Sequence, residues 1–345
     1  MKGRAFMNDG NIDWKKILSD VERRSNDSQD FEIGAQDIRF GRKNGHIMGL
    51  DSKFQTLDFS MNSWAQGQFF NKLNMPGKYF KKLMEEGQFD LVGEHANYQL
   101  DKMNEDDKLL IRTVEHGERY ARAILSDRYS PFDNDQLVDV INEALTKSQY
   151  KYEIIEYQND DLTASIRITF PDTETDVDYS KRSKGDVLKA AVMIMNSEVG
   201  KRGIYIMPVV YRVVCSNGMT VWQSLGNKKD FYRKHVGLTE QGVYDFAITA
   251  FDEAMDSAYN SITKFKDLQK INVEDPETEI KKLLSRNKIP KRLIEKVQER
   301  HQAKWMGDKT IFSIVNAVTN VARDLKIDDK IDLENAAGNI LANAA

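Results

Sequence analysis

Basic side chains set inside strand-like runs are the first chemistry this sequence offers. Arg122, Arg167 and Arg212 each fall within a predicted strand, as does Lys189. A charge placed there must reach a polar surface, an acidic partner or a ligand. Arg167 shares its predicted strand face with Thr163, Ser165 and Thr169, whereas Leu162, Ala164, Ile166, Ile168 and Phe170 fall on the other. A face of hydroxyls and arginine, edged by the basic loop Lys228, Lys229, Arg233 and Lys234, would track a phosphate backbone. Trp222, Phe231 and Tyr232 lie close enough in sequence to offer stacking surfaces. The candidate nucleic-acid-binding residues are therefore Arg167, Lys201, Arg202, Arg212, Trp222, Lys228, Lys229, Tyr232, Arg233 and Lys234. The competing explanation is a set of ordinary cross-strand ion pairs.

Two polar clusters stand at predicted strand ends. "LSDRYSPFDN" holds Asp127, Arg128 and Tyr129, and "NSEVGKR" holds Asn196, Ser197, Glu198, Lys201 and Arg202. Each mixes an acid, a base and hydrogen-bonding groups, which suits a cleft for phosphate or ribose. It equally suits an Asp–Arg pair and a capped turn that fix the connection. The five histidines, His46, His95, His116, His235 and His301, are scattered, and no HxH, HExxH or Cys/His grouping appears. No zinc site is predicted, and no catalytic residue and no cofactor. Phosphate-loop, dinucleotide-binding and nucleophile-elbow motifs are absent from the sequence. The one cysteine, Cys215, precedes Asn217-Gly218, which predicts a type I′ hairpin turn. Cys215 reads as a small hydrophobe at a strand end rather than a reactive thiol.

The elements that must carry these residues follow from periodicity. Ser60 is expected to cap a helix with Met61, Trp64, Ala65, Phe69 and Leu73 on its apolar side, and Pro76 opens a second that Gly87 ends. This helical hairpin is followed by a β-hairpin over Leu109–Val114 and Arg119–Ser126. Asp133 and Gln136 form a capping-box pattern before a helix with Leu137, Val140, Ile141 and Ala144 on one stripe. Four strands come next, the last two over Val187–Asn196 and Gly203–Val214, with Pro208 demanding an edge or bulge. Thr239 caps a long apolar helix reaching about Leu268, and four helices follow the linker "INVEDPETE". The expected fold class is α+β: an antiparallel β-meander packed on a long helix, with an N-terminal helical hairpin and a C-terminal helical domain. The expected division is 1–44 as a polar N-terminal segment, 45–272 as the core and 273–345 as the helical domain.

Bulk properties bound the partners. The chain has 345 residues, 40% hydrophobic and 30% charged, so a folded protein with a charge-rich surface is expected. Neither a membrane-spanning run nor a signal-peptide pattern is seen, which predicts a cytoplasmic protein with no membrane partner. The net charge of −4 gives no global basic field. Yet seven Lys/Arg against one acid lie between Lys201 and His235, and nine against Glu295 and Glu299 lie between Lys281 and Lys304. Such patches fit a phosphate-binding face or, equally, solvated helix and loop faces.

At "LSDRYSPFDN", "NSEVG" and "VVYRVVCSNGM" the chain resembles a family of phage, plasmid and prophage proteins catalogued as a domain of unknown function, number nine-thirty-two. The pattern continues in "WAQGQFFNKLNMPGKYFKKL", in Arg122 to Tyr129, in Arg212 to Met219 and in Asn316 to Thr319, so it runs from about residue 60 to 340. The resemblance implies a mobile-element origin and a cytoplasmic setting, and it transfers no catalytic residue. The order of strands followed by a long helix from Leu162 to Leu268 is also similar to the core of single-strand annealing proteins of the Rad fifty-two type, which form rings with DNA in a basic groove. Together these readings lead to the expectation of a non-enzymatic, single-strand nucleic-acid-binding accessory protein, able to form a homo-oligomer, in recombination or replication. The alternative is an interaction protein that acts on a host factor or defence system. An enzyme using Glu198 or Asp127 with a divalent metal ranks below both.

Overall fold

A computed structural model describes residues 5–7, 12–50, 56–116, 118–148, 150–173, 175–177, 186–212, 217–220 and 231–344. In chain order the first part holds β1 (Ala5–Met7), α1 (Trp14–Asn26), β2 (Ser28–Gly34), β3 (Arg39–Phe40), β4 (Ile47–Leu50), β5 (Thr56–Met61), α2 (Ser63–Lys72), α3 (Gly77–Glu85) and α4 (Phe89–Leu100). The middle holds β6 (Lys108–His116), β7 (Glu118–Ser126), α5 (Asn134–Lys147), β8 (Glu153–Asn159), β9 (Ala164–Thr169), β10 (Thr175–Val177), β11 (Asp186–Asn196), β12 (Ile204–Arg212), β13 (Asn217–Thr220) and β14 (Tyr232–Arg233). The long α6 (Glu240–Asp267) leads to α7 (Pro276–Arg286), α8 (Lys291–Trp305), α9 (Ile311–Ala322) and α10 (Ile327–Ala344). The class is α+β, with an antiparallel meander on a long helix and helical regions at both ends of the order.

The meander is the larger sheet, in the order β1-β8-β9-β11-β12-β13, with β10 beside β11 and β14 beside β12. Its strands alternate. Ile166 and Ile168 of β9 enter a core with Val140 and Ile141 of α5 and Val243, Ala247 and Ala250 of α6. Arg167, between them in sequence, reaches Glu334 of α10 instead. All six residues of β9 are buried, so the polar face expected to remain open is covered by a helix 167 residues later in the chain. Pro208 pairs with Val192 on one side, while on the other β13 meets only 209–212 and β14 only 204–205. The residue without an N–H thus sits where β12 has no described second partner.

The smaller sheet, in the order β2-β6-β7-β5-β4-β3, packs one face on α2, α3 and α4 around Phe40, Phe59, Phe69, Phe70 and Phe80. Residues 12–44 are woven into this framework: α1 contributes Ile17 and Val21 to the meander's core, and β2 pairs along β6. Ser60 and Met61 pair in parallel with Tyr120 and Ala121, so they lie in β5 rather than in a helix. Asn62 caps α2 instead, its side chain accepting the Ala65 N–H at 2.8 Å. Asn217 and Gly218 stand opposite Arg212 and Tyr211, inside β13, and not at the expected turn. Cys215 falls outside the described residues.

The two sheets meet through the turn between β11 and β12. Val199 of that turn packs on Leu110, Ala123 and Leu125 of β6 and β7. Its carbonyl accepts from Trp64 Nε1 at 3.0 Å and Gln68 Nε2 at 2.8 Å, both on α2. Gly200 closes the turn at φ +71°, and a Cβ there would lie 2.6 Å from Leu125 Cδ2. Only glycine suits this position on both counts.

Candidate functional site

Of the ten nominated residues, those whose side chains are described do not converge on one open surface. Arg167 is 2% exposed, donates to Glu334 Oε2 at 2.7 Å and lies 3.6 Å from Glu156. Lys330 closes the group by pairing with Glu156, so two cations and two carboxylates are sealed between β8, β9 and α10. Burial alone would favour neutral forms. The carboxylates of Glu334 and Glu156 nonetheless raise the Arg167 pKa, and Arg167 and Lys330 pull that of Glu156 down. Arg167 therefore serves the interior and cannot meet a phosphate. Lys201 and Arg202 are likewise taken, both by Asp328 at the start of α10, with Arg202 at 3.1 Å.

Of the rest, Tyr232 leans on Tyr205 with ring centroids 4.6 Å apart, and Arg233 lies over the Phe246 ring at 4.4 Å. Lys234 is exposed. Arg212 is placed by its backbone in β12, paired with Leu188 and Asn217. Trp222, Lys228 and Lys229 lie outside the described residues. The ion-pair reading of the strand cations is the one the geometry follows for Arg122 and Arg167. Their partners are far away in sequence, which is why periodicity could not name them.

The two polar clusters come together in part: Tyr129, Asp133 and Asn134 of the first meet Asn196, Ser197 and Glu198 of the second, whereas Asp127 and Arg128 are exposed. Arg112 of β6, 1% exposed, grips Asp133 with two parallel bonds of 2.7 and 2.6 Å. It also donates to Asp30 at 2.9 Å and to the Glu198 carbonyl at 2.8 Å. The Glu198 carboxylate accepts from Arg122 at 2.5 Å and from the Asn134 N–H, at the first turn of α5, at 2.8 Å. A carboxylate at that end of a helix is favoured by the backbone dipole. Asn196 donates to the Phe132 carbonyl and the Asn134 side chain, and accepts from His235 Nε2 at 2.8 Å. Tyr129 stacks on His235 at 4.8 Å and donates to the Ser197 carbonyl. Burial drives the Tyr129 phenol pKa upward and the His235 pKa downward, so both stay neutral near pH 7.

This network is nearly saturated, with the buried Arg122 Nε left without a hydrogen-bond partner. Each strong charge in it has an opposite partner, and the motifs that looked like a cleft instead rivet the two sheets together. Beside it runs a water-sized cleft lined by Arg122, Asn134, Thr163 and Glu198, where Thr163 Oγ1 is buried without a hydrogen-bond partner. Among the described residues no three His, Cys, Asp or Glu side chains gather as metal ligands, and no helix is long and apolar enough to cross a membrane.

Exposed cations concentrate elsewhere, on the helical region after α6. Arg292, Lys296, Arg300 and Lys304 recur every four residues along α8, a ladder with steps of about 6 Å along the helix axis. Arg292 is held by Asp329 at 2.7 Å and Arg300 by Asp324 at 3.3 Å. Among the described residues no carboxylate pairs with Lys296 or Lys304, nor with Lys281, Arg286 or Lys288 around the α7–α8 turn. All five are exposed. The sequence marked this run by its charge count alone. The four-residue spacing was the sharper signal, because like charges one turn apart destabilise a helix by about 0.2–0.5 kcal/mol per pair.

A family model described as "Domain of unknown function (DUF932)" matches residues 122–332, well over half of the chain. That span takes in the riveting network, the meander from β8 onward and the α8 ladder. No curated protein and no solved structure matches the chain.

Proposed function

The chain belongs to the family described as Domain of unknown function (DUF932), and we propose that it is a nucleic-acid-binding accessory protein that holds single strands along α8. The observation that carries the reading is the α8 ladder, in which Lys296 and Lys304 are exposed with no carboxylate partner among the described residues, while Asp329 and Asp324 hold Arg292 and Arg300. Cations crowd the first turn of a helix that has no acid there, against the dipole, and like charges repeat at one-turn spacing. Where a sequence breaks such rules, a ligand is the usual compensation. Arg167, Lys201 and Arg202 no longer support the reading, since they neutralise carboxylates of the same chain. A phage or plasmid setting, a cytoplasmic site of action, a homo-oligomer and the lack of catalysis belong to the same proposal.

The test is titration of full-length protein with fluorescent single- and double-stranded oligonucleotides at several salt concentrations. Single-strand affinity should fall with salt at a log–log slope of about −0.7 per phosphate contact. The double variant Lys296→Ala, Lys304→Ala should weaken binding and make that slope shallower by about 1.4. A flat salt response ends the proposal. Loss of binding in Lys228→Ala, Lys229→Ala with none in the α8 variant would move the surface to the central loop.

A second reading, an interaction protein acting on a host factor, draws on a different surface. Tyr79 of α3 and Leu91 and Tyr98 of α4 are 54%, 38% and 57% exposed, and Leu91, His95 and Tyr98 share one stripe of α4. His95 meets Phe80, whose ring also touches Tyr79. Exposed tyrosines of this kind are typical of protein interfaces. Recovery of a stoichiometric host protein that is lost in Tyr79→Ala, Tyr98→Ala, with no strand binding, would favour this reading.

A further inference from the structure

We propose that the cleft between α7 and α10 accepts an unstacked nucleobase, of the kind that presents a donor beside an acceptor as adenine does. The inference rests on the single-strand reading above and names what that surface would recognise. The cleft has a volume of about 650 Å³, within the usual range of ligand sites, and lies at the end of the α7–α8 turn. Its apolar lining is Ile271, Leu283 of α7, Ile311 at the start of α9 and Ile340 of α10, and the one acid in the lining, Glu279, is paired with Lys282 at 3.0 Å. Such a lining offers a base a dry face in place of its lost stacking neighbour.

The rim is polar in an ordered way. Asn343 Nδ2 donates to the Asn339 carbonyl at 2.6 Å, Asn339 Nδ2 to Asn287 Oδ1 at 2.7 Å, and Asn287 Nδ2 to the Leu283 carbonyl at 2.9 Å. Each amide spends one N–H in this chain of bonds. An amide carries two N–H groups and an acceptor oxygen. No further bond among the described residues uses the Asn339 and Asn343 oxygens or the second N–H of either. The planar donor–acceptor edge left over is the group that pairs with the N6 and N7 edge of adenine. Arg286 also lines the cleft, exposed and, among the described residues, without a carboxylate partner, so that it could meet a phosphate of the same nucleotide. Lys288 follows at the turn that leads into the α8 ladder. The occupant suggested by this combination has a flat polar edge, an apolar face and a negative group carried on its sugar.

The experiment uses the full-length chain and adenosine monophosphate as probe, followed by calorimetry or by chemical-shift changes. Saturable binding, about tenfold or more weaker in Asn343→Trp, is expected. Asn343 is exposed, so this variant fills the rim without touching the core. Arg286→Ala should weaken the monophosphate and leave adenosine unchanged. The proposal is overturned if the monophosphate binds no better than inorganic phosphate, or equally well to Asn343→Trp. A poly-dA oligonucleotide should also outbind an abasic strand of equal length, and Asn343→Trp should erase that difference while the salt slope persists. If both strands bind alike and the monophosphate does not bind, the base site fails and the strand-binding function stands. If the monophosphate binds as expected and no strand does, the function fails and the base site stands.

Discussion

Arg112 and His235 set the behaviour of the joint between the sheets. Removing the Arg112 side chain would strand Asp133 and Asp30 beside a buried surface. Arg112→Ala should therefore cost about 3–5 kcal/mol, read as a lower urea midpoint, and Arg112→Lys should recover only part of it because the two-pronged grip is lost. His235 gives a pH signature. Burial holds its pKa below the ordinary value, against the pull of the Ser130 carbonyl. The unfolded chain then binds the proton more readily, so this share of stability is complete above about pH 6.5 and is lost as pH falls toward the folded pKa. Urea midpoints should drop between about pH 7.5 and about pH 5.5, and His235→Gln should flatten that drop. A midpoint unchanged across the window would show that His235 does not titrate with folding. The lowered carboxylates Glu156 and Asp328 act in a separate window, below about pH 4.5, where protonation releases their cations. At this scale the sequence was half legible. Its clusters were visible as unusual groups, but the identity of each partner depends on a contact closed by tertiary structure.

The elements whose signals are local were read well. The β6–β7 hairpin, the break at Gly87 and the start of α6 at Thr239 each rest on one or two neighbouring residues. Errors arose where a distant element outvoted a local preference. Asn-Gly is a strong turn dipeptide, yet its pairing with Arg212 and Tyr211 of β12 places it in a strand. Ser60 could cap a helix, yet pairing with β7 draws it into a sheet. The polar side of β9 looked solvent-facing because Glu334 and Lys330 stand far along the chain. A double-mutant cycle on Arg167 and Glu334 tests that contact. Each single change to a neutral isostere, Arg167→Met or Glu334→Gln, should cost about 3–5 kcal/mol, and the pair together should cost less than the sum. Strict additivity would mean that the two side chains do not interact in solution.

For the whole molecule, the division into body and tail is narrower than the linker suggests. The helices from α7 onward form their own core around Leu284, Leu293, Val297, Phe312 and Val318. Yet Ile327 and Ile331 of α10 belong to the meander's core, and α10 supplies the partners of Arg167, Glu156, Lys201 and Arg202. A fragment ending at residue 272 would expose a charged, half-apolar sheet face. It should fail to give a cooperative unfolding transition, which circular dichroism in urea would show; a sharp transition near that of the full chain would refute the coupling. Composition and periodicity could foretell a helical tail, but not that its last helix completes the sheet. The same arrangement has a consequence during synthesis. Arg167 leaves the ribosome 167 residues before Glu334, a delay of roughly 10–30 s at typical elongation rates. Throughout that interval the guanidinium has Glu156 as its acidic neighbour but not its closer partner, and the flank of the nascent meander that α10 covers stays bare until that helix arrives.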